Sequence, residues 1–186
     1  MSKIEIPLDD ALNRINFIFK NEEILTECVF NHKGVSFLGE SFGPFEKGKR
    51  YKMKYFSAIP FIEEDILIIS NEEKCDDKDI QRFAVNEVNI GEKLTKQDDP
   101  YFLVKLKEFR LIIDKAVNEK KKPKIDLDRY NSYTSNYIDN RLVKILKLSK
   151  TEISLEDEKK LTTSEKALYK IISDIIKNWR RFFLSN

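Results

Sequence analysis

VSFLGESFGPFEKGKRYKMKYFSAIPFIEEDILIIS, residues 35–70, is the stretch whose reading decides the fold. At its centre, Phe42-Gly43-Pro44-Phe45-Glu46-Lys47-Gly48 sets two glycines and a proline close together. Glycine opens backbone angles closed to other residues and proline fixes its own φ, so no regular element runs through this segment. Phe42 and Phe45 give the turn two apolar anchors, which marks it as a shaped connection. Val35, Phe37 and Gly39 share one face before it, and Tyr51, Met53 and Tyr55 share one face after it. That alternation is the period of half-buried strands. A short aromatic helix is expected from Tyr55 to Glu64, followed by the apolar run Ile66-Leu67-Ile68-Ile69. The module closes near Ser70.

Upstream, Pro7 with Asp9 or Asp10 starts a helix whose stripe is Leu8, Leu12, Ile15 and Phe19, and Lys20-Asn21-Glu22-Glu23 ends it. Ile24 to Phe30 reads as a strand, and Asn31-His32-Lys33-Gly34 as a hairpin turn into Val35. His32 is the sole histidine and has no acidic or thiol neighbour at ligand spacing, so it is read as a solvated turn residue.

Downstream the texture changes. Asn71 to Asp79 is polar and charged, and beyond it apolar residues recur at helical period. Asp76 or Asp77 caps a helix carrying Ile80, Phe83, Ala84 and Val88, with Gly91 past its end. Asp99-Pro100 is a start signal for a helix with Phe102, Leu106, Phe109, Ile113 and Ala116 on its seam and Val104, Leu111 and Ile112 widening it. After Pro123, Asp126 or Asp128 caps a long helix with Tyr130, Tyr133 and Tyr137, then Ile138, Leu142, Ile145 and Leu148. Thr162-Thr163-Ser164-Glu165 fits a capping box for a last helix with Leu168, Ile172, Ile175, Trp179 and Phe182 on one seam and Ile171, Ile176 and Phe183 beside it. The expected fold class is therefore α+β: a small β-rich domain at 1–70 and a larger all-α helical bundle at 71–186.

Composition narrows the function. Hydrophobic residues make up 41% of the 186, enough for a core, while charged residues reach 35%, an excess that must lie on the surface. That surplus with few glycines suits a thermophile's surface or AT-rich coding equally. Lys+Arg 34 against Asp+Glu 32 nearly cancel, which argues against a chain that grips duplex nucleic acid over its whole surface. Cys28 and Cys75 lack metal spacing and are expected as buried, reduced thiols. No apolar run approaches the roughly 18 residues of a membrane span, and no leader opens the chain, so a soluble intracellular protein is expected. There is no Gly-rich phosphate loop, no Cys/His cluster and no nucleophile motif. Neither catalytic activity, cofactor nor metal is expected.

Two surface features remain. Lys120-Lys121-Lys122-Pro123-Lys124 is a solvated connector, with nucleic-acid contact through Lys120, Lys121, Lys122 and Lys124 as the alternative. Several helical faces are wider than a bundle of this size needs. Core packing accounts for most such residues, but Tyr101, Val104, Leu111, Tyr133, Tyr137, Ile171, Ile176, Trp179 and Phe183 are candidates for a subunit interface.

The order of parts resembles subunits of the GINS complex, a replication-fork assembly. The matching residues are Gly43-Pro44-Phe45 with Gly48, then Tyr51-Lys52-Met53-Lys54-Tyr55-Phe56-Ser57-Ala58. Further on are Asp99-Pro100-Tyr101-Phe102, Asp139-Asn140-Arg141 with Leu142 and Leu146, and the closing Leu161-Thr162. The likeness is nearest to the archaeal "two-three" class, in which the β domain precedes the helical one; where that family often has tryptophan, this chain has Phe56. The resemblance implies a non-catalytic scaffold that assists the replicative MCM helicase. It also implies a GINS partner of the opposite domain order in a 2:2 tetramer, contacts with the MCM ring, a Cdc45/RecJ-like protein and primase, and DNA contact at most weak or indirect. The implied location is the cytoplasm, near the nucleoid, in an archaeon, or the nucleus in a eukaryote.

Overall fold

A computed structural model describes residues 5–37, 39–73 and 76–184. The chain is α+β, with a β-sheet region in its N-terminal part and a helical region after it. It divides into two compact units, Phe17–Lys74 and Met1–Asn16 with Cys75–Asn186. The first helix, α1 (Glu5–Lys20), therefore contributes to both, where sequence reasoning keeps residues 1–70 together.

In the β unit, β1 (Glu23–Cys28) alternates strictly, with Ile24, Thr26 and Cys28 buried. It is the middle strand, antiparallel to β4 (Arg50–Lys54) through Ile24↔Met53 and Thr26↔Tyr51, and to β5 (Leu67–Ile69) through Cys28↔Leu67. The helix α2 (Tyr55–Glu63) supplies Tyr55, Ala58, Phe61 and Ile62 to the same core. Tyr55 opens this helix instead of continuing the strand, and Pro60 lies within it. The thiol of Cys28 is free and buried, donating to the Phe30 carbonyl at 2.9 Å; Cys75 lies outside the described residues.

The expected hairpin through Asn31–Gly34 is replaced by a different pairing. β2 (Val35–Phe37) pairs with β3 (Glu40–Phe42), while His32 bridges Phe45 through two backbone hydrogen bonds of 2.8 Å. Close backbone approach is the reason. Gly34 and Gly43 both have positive φ, +89° and +91°, and a Cβ on Gly43 would lie 2.7 Å from the Gly34 Cα. His32 is half-buried, and its Nδ1 accepts from the Gly34 N–H at 3.1 Å. It is thus part of the turn and not a solvated side chain. The Gly43–Pro44 peptide is cis. Phe45 is buried against Phe61 and Tyr51, with ring centroids 4.9 and 5.0 Å away.

The helical unit contains α3 (Asp77–Asn89), α4 (Phe102–Asn118), α5 (Lys124–Leu148), the short α6 (Leu155–Glu158) and α7 (Thr163–Leu184). Asp76 caps α3, accepting from the Asp79 N–H at 2.7 Å, and Gly91 follows with φ +68°. Asp99 accepts from the Tyr101 N–H at 2.8 Å, so Asp99-Pro100 forms the turn leading into α4. Phe102 stacks edge-on with Phe83 and Tyr137 at 4.9 and 5.5 Å, forming the aromatic centre where α3, α4 and α5 meet. Tyr130 donates to the Leu106 carbonyl at 2.9 Å, and Leu94, Ile145 and Leu161 form a second cluster.

Candidate interaction surface

The clearest departure from helical periodicity is on α5. Its pattern predicts Ile138, Leu142, Ile145 and Leu148 on the buried side. Ile145 is buried there and Leu148 half-buried, but Ile138 and Leu142 face outward with Val143 and Leu146, at 41%, 36%, 54% and 42% exposure. The inward positions are taken by Tyr137, Arg141 and Lys144. Two cations thus face the core while four aliphatics face out.

The neighbouring helices make this arrangement possible. Arg141 makes a fork to Glu165 of α7, Nε to Oε1 at 2.5 Å and Nη2 to Oε2 at 2.7 Å. It also donates to the Thr95 and Lys160 carbonyls, each at 2.8 Å, and to Glu87 of α3 at 3.2 Å. Lys144 donates to the Glu87 carbonyl at 2.5 Å and to its Oε1 at 2.7 Å, and the Thr95 hydroxyl donates to the Glu87 Oε2. Two cations and two carboxylates balance, and each is buried. A buried charge is tolerated when paired and hydrogen-bonded in this way.

The electrostatics follow. Burial pushes the Glu87 carboxyl up, but hydrogen bonds from Lys144 and Thr95 and the charges of Arg141 and Lys144 outweigh it and hold the group below its ordinary range. Burial disfavours the Arg141 cation, yet Glu165 more than compensates and keeps it charged. Burial raises the Tyr137 hydroxyl, so it stays neutral. Glu165 also closes the expected capping box, accepting from the Thr162 N–H at 2.8 Å. This machinery is structural: it fixes α3, α5 and α7 while directing aliphatic side chains outward.

The end of α7 is the second exposed apolar surface. Trp179, Phe182 and Phe183 are 64%, 81% and 63% exposed, and the Phe183 ring packs against each of the other two with centroid distances of 5.0 Å. Ile175 and Leu184 are exposed with them. Arg180 donates to the Lys150 carbonyl at 2.8 Å, tying the last turns to the end of α5.

The candidate interface residues separate accordingly. Trp179, Phe183 and Leu111 are exposed; Tyr101, Tyr133, Ile171 and Ile176 are half-buried. Val104 and Tyr137 are core residues of the helical unit and are corrected to that role, because α4 turns Val104 inward and Phe102 with Arg141 encloses the Tyr137 ring. The four outward aliphatics of α5 were missed, as was the burial of Glu87, Arg141 and Lys144. One signal was present: Tyr137, Arg141, Lys144 and Leu148 recur at steps of four and three.

Lys120, Lys121, Lys122 and Lys124 are exposed between α4 and α5. Lys120 takes φ +60° and ends α4, Lys121 pairs with Glu119 at 2.9 Å, and Pro123 precedes α5. Among the described residues, no group of His, Cys, Asp and Glu is arranged to hold a metal, and no helix is long and apolar enough to cross a membrane. Comparison with known proteins finds no matching family model and no matching curated sequence.

Proposed function

We propose that this chain is a non-catalytic scaffold subunit of a GINS-type assembly, an accessory factor of the replicative MCM helicase. The observation that carries the reading is the outward aliphatic face of α5 over an ionic interior. An isolated bundle gains nothing from burying Arg141 and Lys144 while leaving Ile138, Leu142, Val143 and Leu146 in water. A subunit that docks a partner on that face gains both an apolar contact and a rigid backing. The order of a β unit before a helical one, and a Gly-Pro-Phe turn with Phe45 buried, support the family in particular.

The proposed partner is a GINS subunit of opposite domain order, two copies of each, with the MCM ring, a Cdc45/RecJ-like protein and primase contacting the assembled tetramer. Co-expression with such a subunit from the same genome, followed by size-exclusion with light scattering, tests it. The expected result is one species with the mass of a 2:2 tetramer. Two chains that elute separately, each at its own mass, overturn the reading.

A further inference from the structure

The end of α7 is built differently from its start. Glu165 and Ser173 are buried in the helical unit, whereas residues 177–184 are all exposed. At 3.6 residues per turn, Ile175, Trp179, Phe182 and Phe183 fall within about 100° of arc. Lys177, Arg180 and Arg181 fall within a second arc of about 100°, centred nearly opposite the first. Leu184 is the exception and lies among the cations. The free end of the helix is therefore apolar on one side and cationic on the other.

The charges say what covers it. Residues 177–184 hold the cations Lys177, Arg180 and Arg181 and no acid. Asp174 is exposed on the cationic side, with Lys170 four residues before it and Lys177 three after, so it lowers the positive charge of that side without reversing it. The adjoining loop, whose Lys150 carbonyl accepts from Arg180, brings Lys150 and Glu152, which cancel. The matching ligand is apolar and negative at once.

Three kinds of surface compete for such an end. A second copy laid along α7 in either direction sets these cations against each other or against Lys166 and Lys170, with only Asp174 to offset them. A single nucleic-acid strand supplies negative charge but needs open ring faces on which its bases stack. Here Phe183 is packed against Trp179 and Phe182 at interplanar angles of 54° and 82°, and Ile175 beside them has no ring. An anionic lipid surface meets both demands. Aromatic and aliphatic side chains enter the boundary between headgroups and acyl chains, where Trp is enriched, while Lys and Arg stay at the level of the phosphates. With Lys166, Lys170, Lys177 and Arg181 along its other side, α7 lies on such a surface and does not cross it.

We propose that the end of α7 anchors the chain on anionic phospholipid, Ile175, Trp179, Phe182 and Phe183 entering the membrane boundary and Lys177, Arg180 and Arg181 meeting the phosphates. This surface is separate from the α5 face, so the inference goes beyond the scaffold reading and does not rest on it. The full chain tests it. Trp179 is the sole tryptophan and is 64% exposed, so its emission reports on the tip. Vesicles containing phosphatidylglycerol should shift that emission blue and float the chain in a sucrose gradient, and vesicles of phosphatidylcholine alone should do neither. Lys177→Gln with Arg181→Gln should weaken partitioning by on the order of tenfold or more, about fivefold for each cation. Asp174→Asn, which removes the opposing charge, should strengthen it. Phe182→Ala with Phe183→Ala keeps the reporter and should abolish flotation. All five positions are exposed, so melting curves should stay as in the parent. No shift with anionic vesicles, or partitioning indifferent to lipid charge and to the two cations, overturns the proposal. So does a blue shift that appears on concentration alone with the mass of a dimer, which would give the face to a second copy. Quenching of Trp179 by a single-stranded oligonucleotide that anionic vesicles fail to displace would overturn it in favour of nucleic acid.

Discussion

Arg141 and Glu165 meet as a two-pronged pair, Nε and Nη2 on the two carboxylate oxygens at 2.5 and 2.7 Å, joining α5 to α7 with both side chains almost wholly out of water. Removing one partner of such a pair leaves the other as an uncompensated buried charge, which costs about 3–5 kcal/mol. Arg141 additionally holds two carbonyls and Glu87, so Arg141→Ala is expected at the upper end of that range. Arg141→Lys keeps the charge but not the planar fork, and should recover only part of the loss. Urea denaturation followed by far-UV circular dichroism measures both. Equal stability of Arg141→Ala and the parent would show that the network contributes nothing to the fold.

Acid should loosen the helical unit through Glu87. Burial pushes its carboxyl up, but the Lys144 and Thr95 hydrogen bonds and the neighbouring cations hold it below the ordinary glutamate value of 4.5. A depressed carboxyl stabilises the folded state fully above the unfolded value and loses that contribution as pH falls through the folded one. Stability should therefore fall as pH drops below about 4.5. Glu87→Gln should be less stable at neutral pH and show a shallower acid limb. Parallel stability–pH curves for the two proteins would refute the assignment.

Substitutions in the Gly-Pro-Phe turn should rank by space as well as by φ. Gly43 and Gly48 both have positive φ, but a side chain at Gly43 meets the Gly34 backbone while one at Gly48 meets nothing within 4 Å. Gly48→Val should cost about 1–2 kcal/mol from backbone strain alone, and Gly43→Val more, since two backbone segments must also part. Phe45→Ala, which empties the site against Phe61 and Tyr51, should cost about 3–5 kcal/mol. Thermal melts followed by near-UV circular dichroism distinguish these, and a Gly48 variant as damaged as the Gly43 variant would contradict the ranking.

The basic run should act as a connector. Lys120 ends α4 in the left-handed region, Lys121 pairs with Glu119 and Pro123 sets the start of α5. Replacing Lys120, Lys121, Lys122 and Lys124 by Gln is expected to leave retention on immobilised duplex DNA unchanged across a salt gradient. A salt-dependent retention that disappears with those four lysines would establish the nucleic-acid alternative instead.

Local chemistry made much of this fold readable. The Asp76 cap, the Thr162–Glu165 box and the Tyr55 helix are decided by neighbours in sequence, and they stand where their residues put them. Strand partnership is not local. The observed β4-β1-β5 order pairs Glu23–Cys28 with the distant Arg50–Lys54 and Leu67–Ile69, and the His32–Phe45 bridge that stands in for a 31–34 hairpin has Gly34 and Gly43, nine residues apart, meeting backbone to backbone. Helix facing failed for a related reason. Counting aliphatics assigns Ile138 and Leu142 to the core, and only the placement of Glu87 and Glu165 on other helices makes Arg141 and Lys144 the buried pair. Of the candidate surface, the Trp179 and Phe183 end was legible because it continues an unbroken stripe. The α5 face was hidden, because a stripe in sequence does not say on which side its counter-charges lie.

That distinction gives the sharpest test of the proposed interface. Ile138, Leu142 and Ile145 belong to one apolar series by spacing, but Ile145 is 1% exposed and the others face outward. Ile145→Ala should cost about 2–5 kcal/mol, as truncation of a buried aliphatic does. Ile138→Lys and Leu142→Lys should change stability by no more than about 0.5 kcal/mol, as substitutions on an exposed face do. If that face docks a partner helix, the same two lysine variants should lose the assembly with a GINS subunit of opposite domain order while keeping their melting curves. Each side chain buried in such a contact is worth about 1.5–3 kcal/mol before association costs, so Leu142→Lys alone should weaken binding at least tenfold. Assembly that survives both lysines would remove α5 as the docking face and, with it, the observation on which the scaffold reading rests.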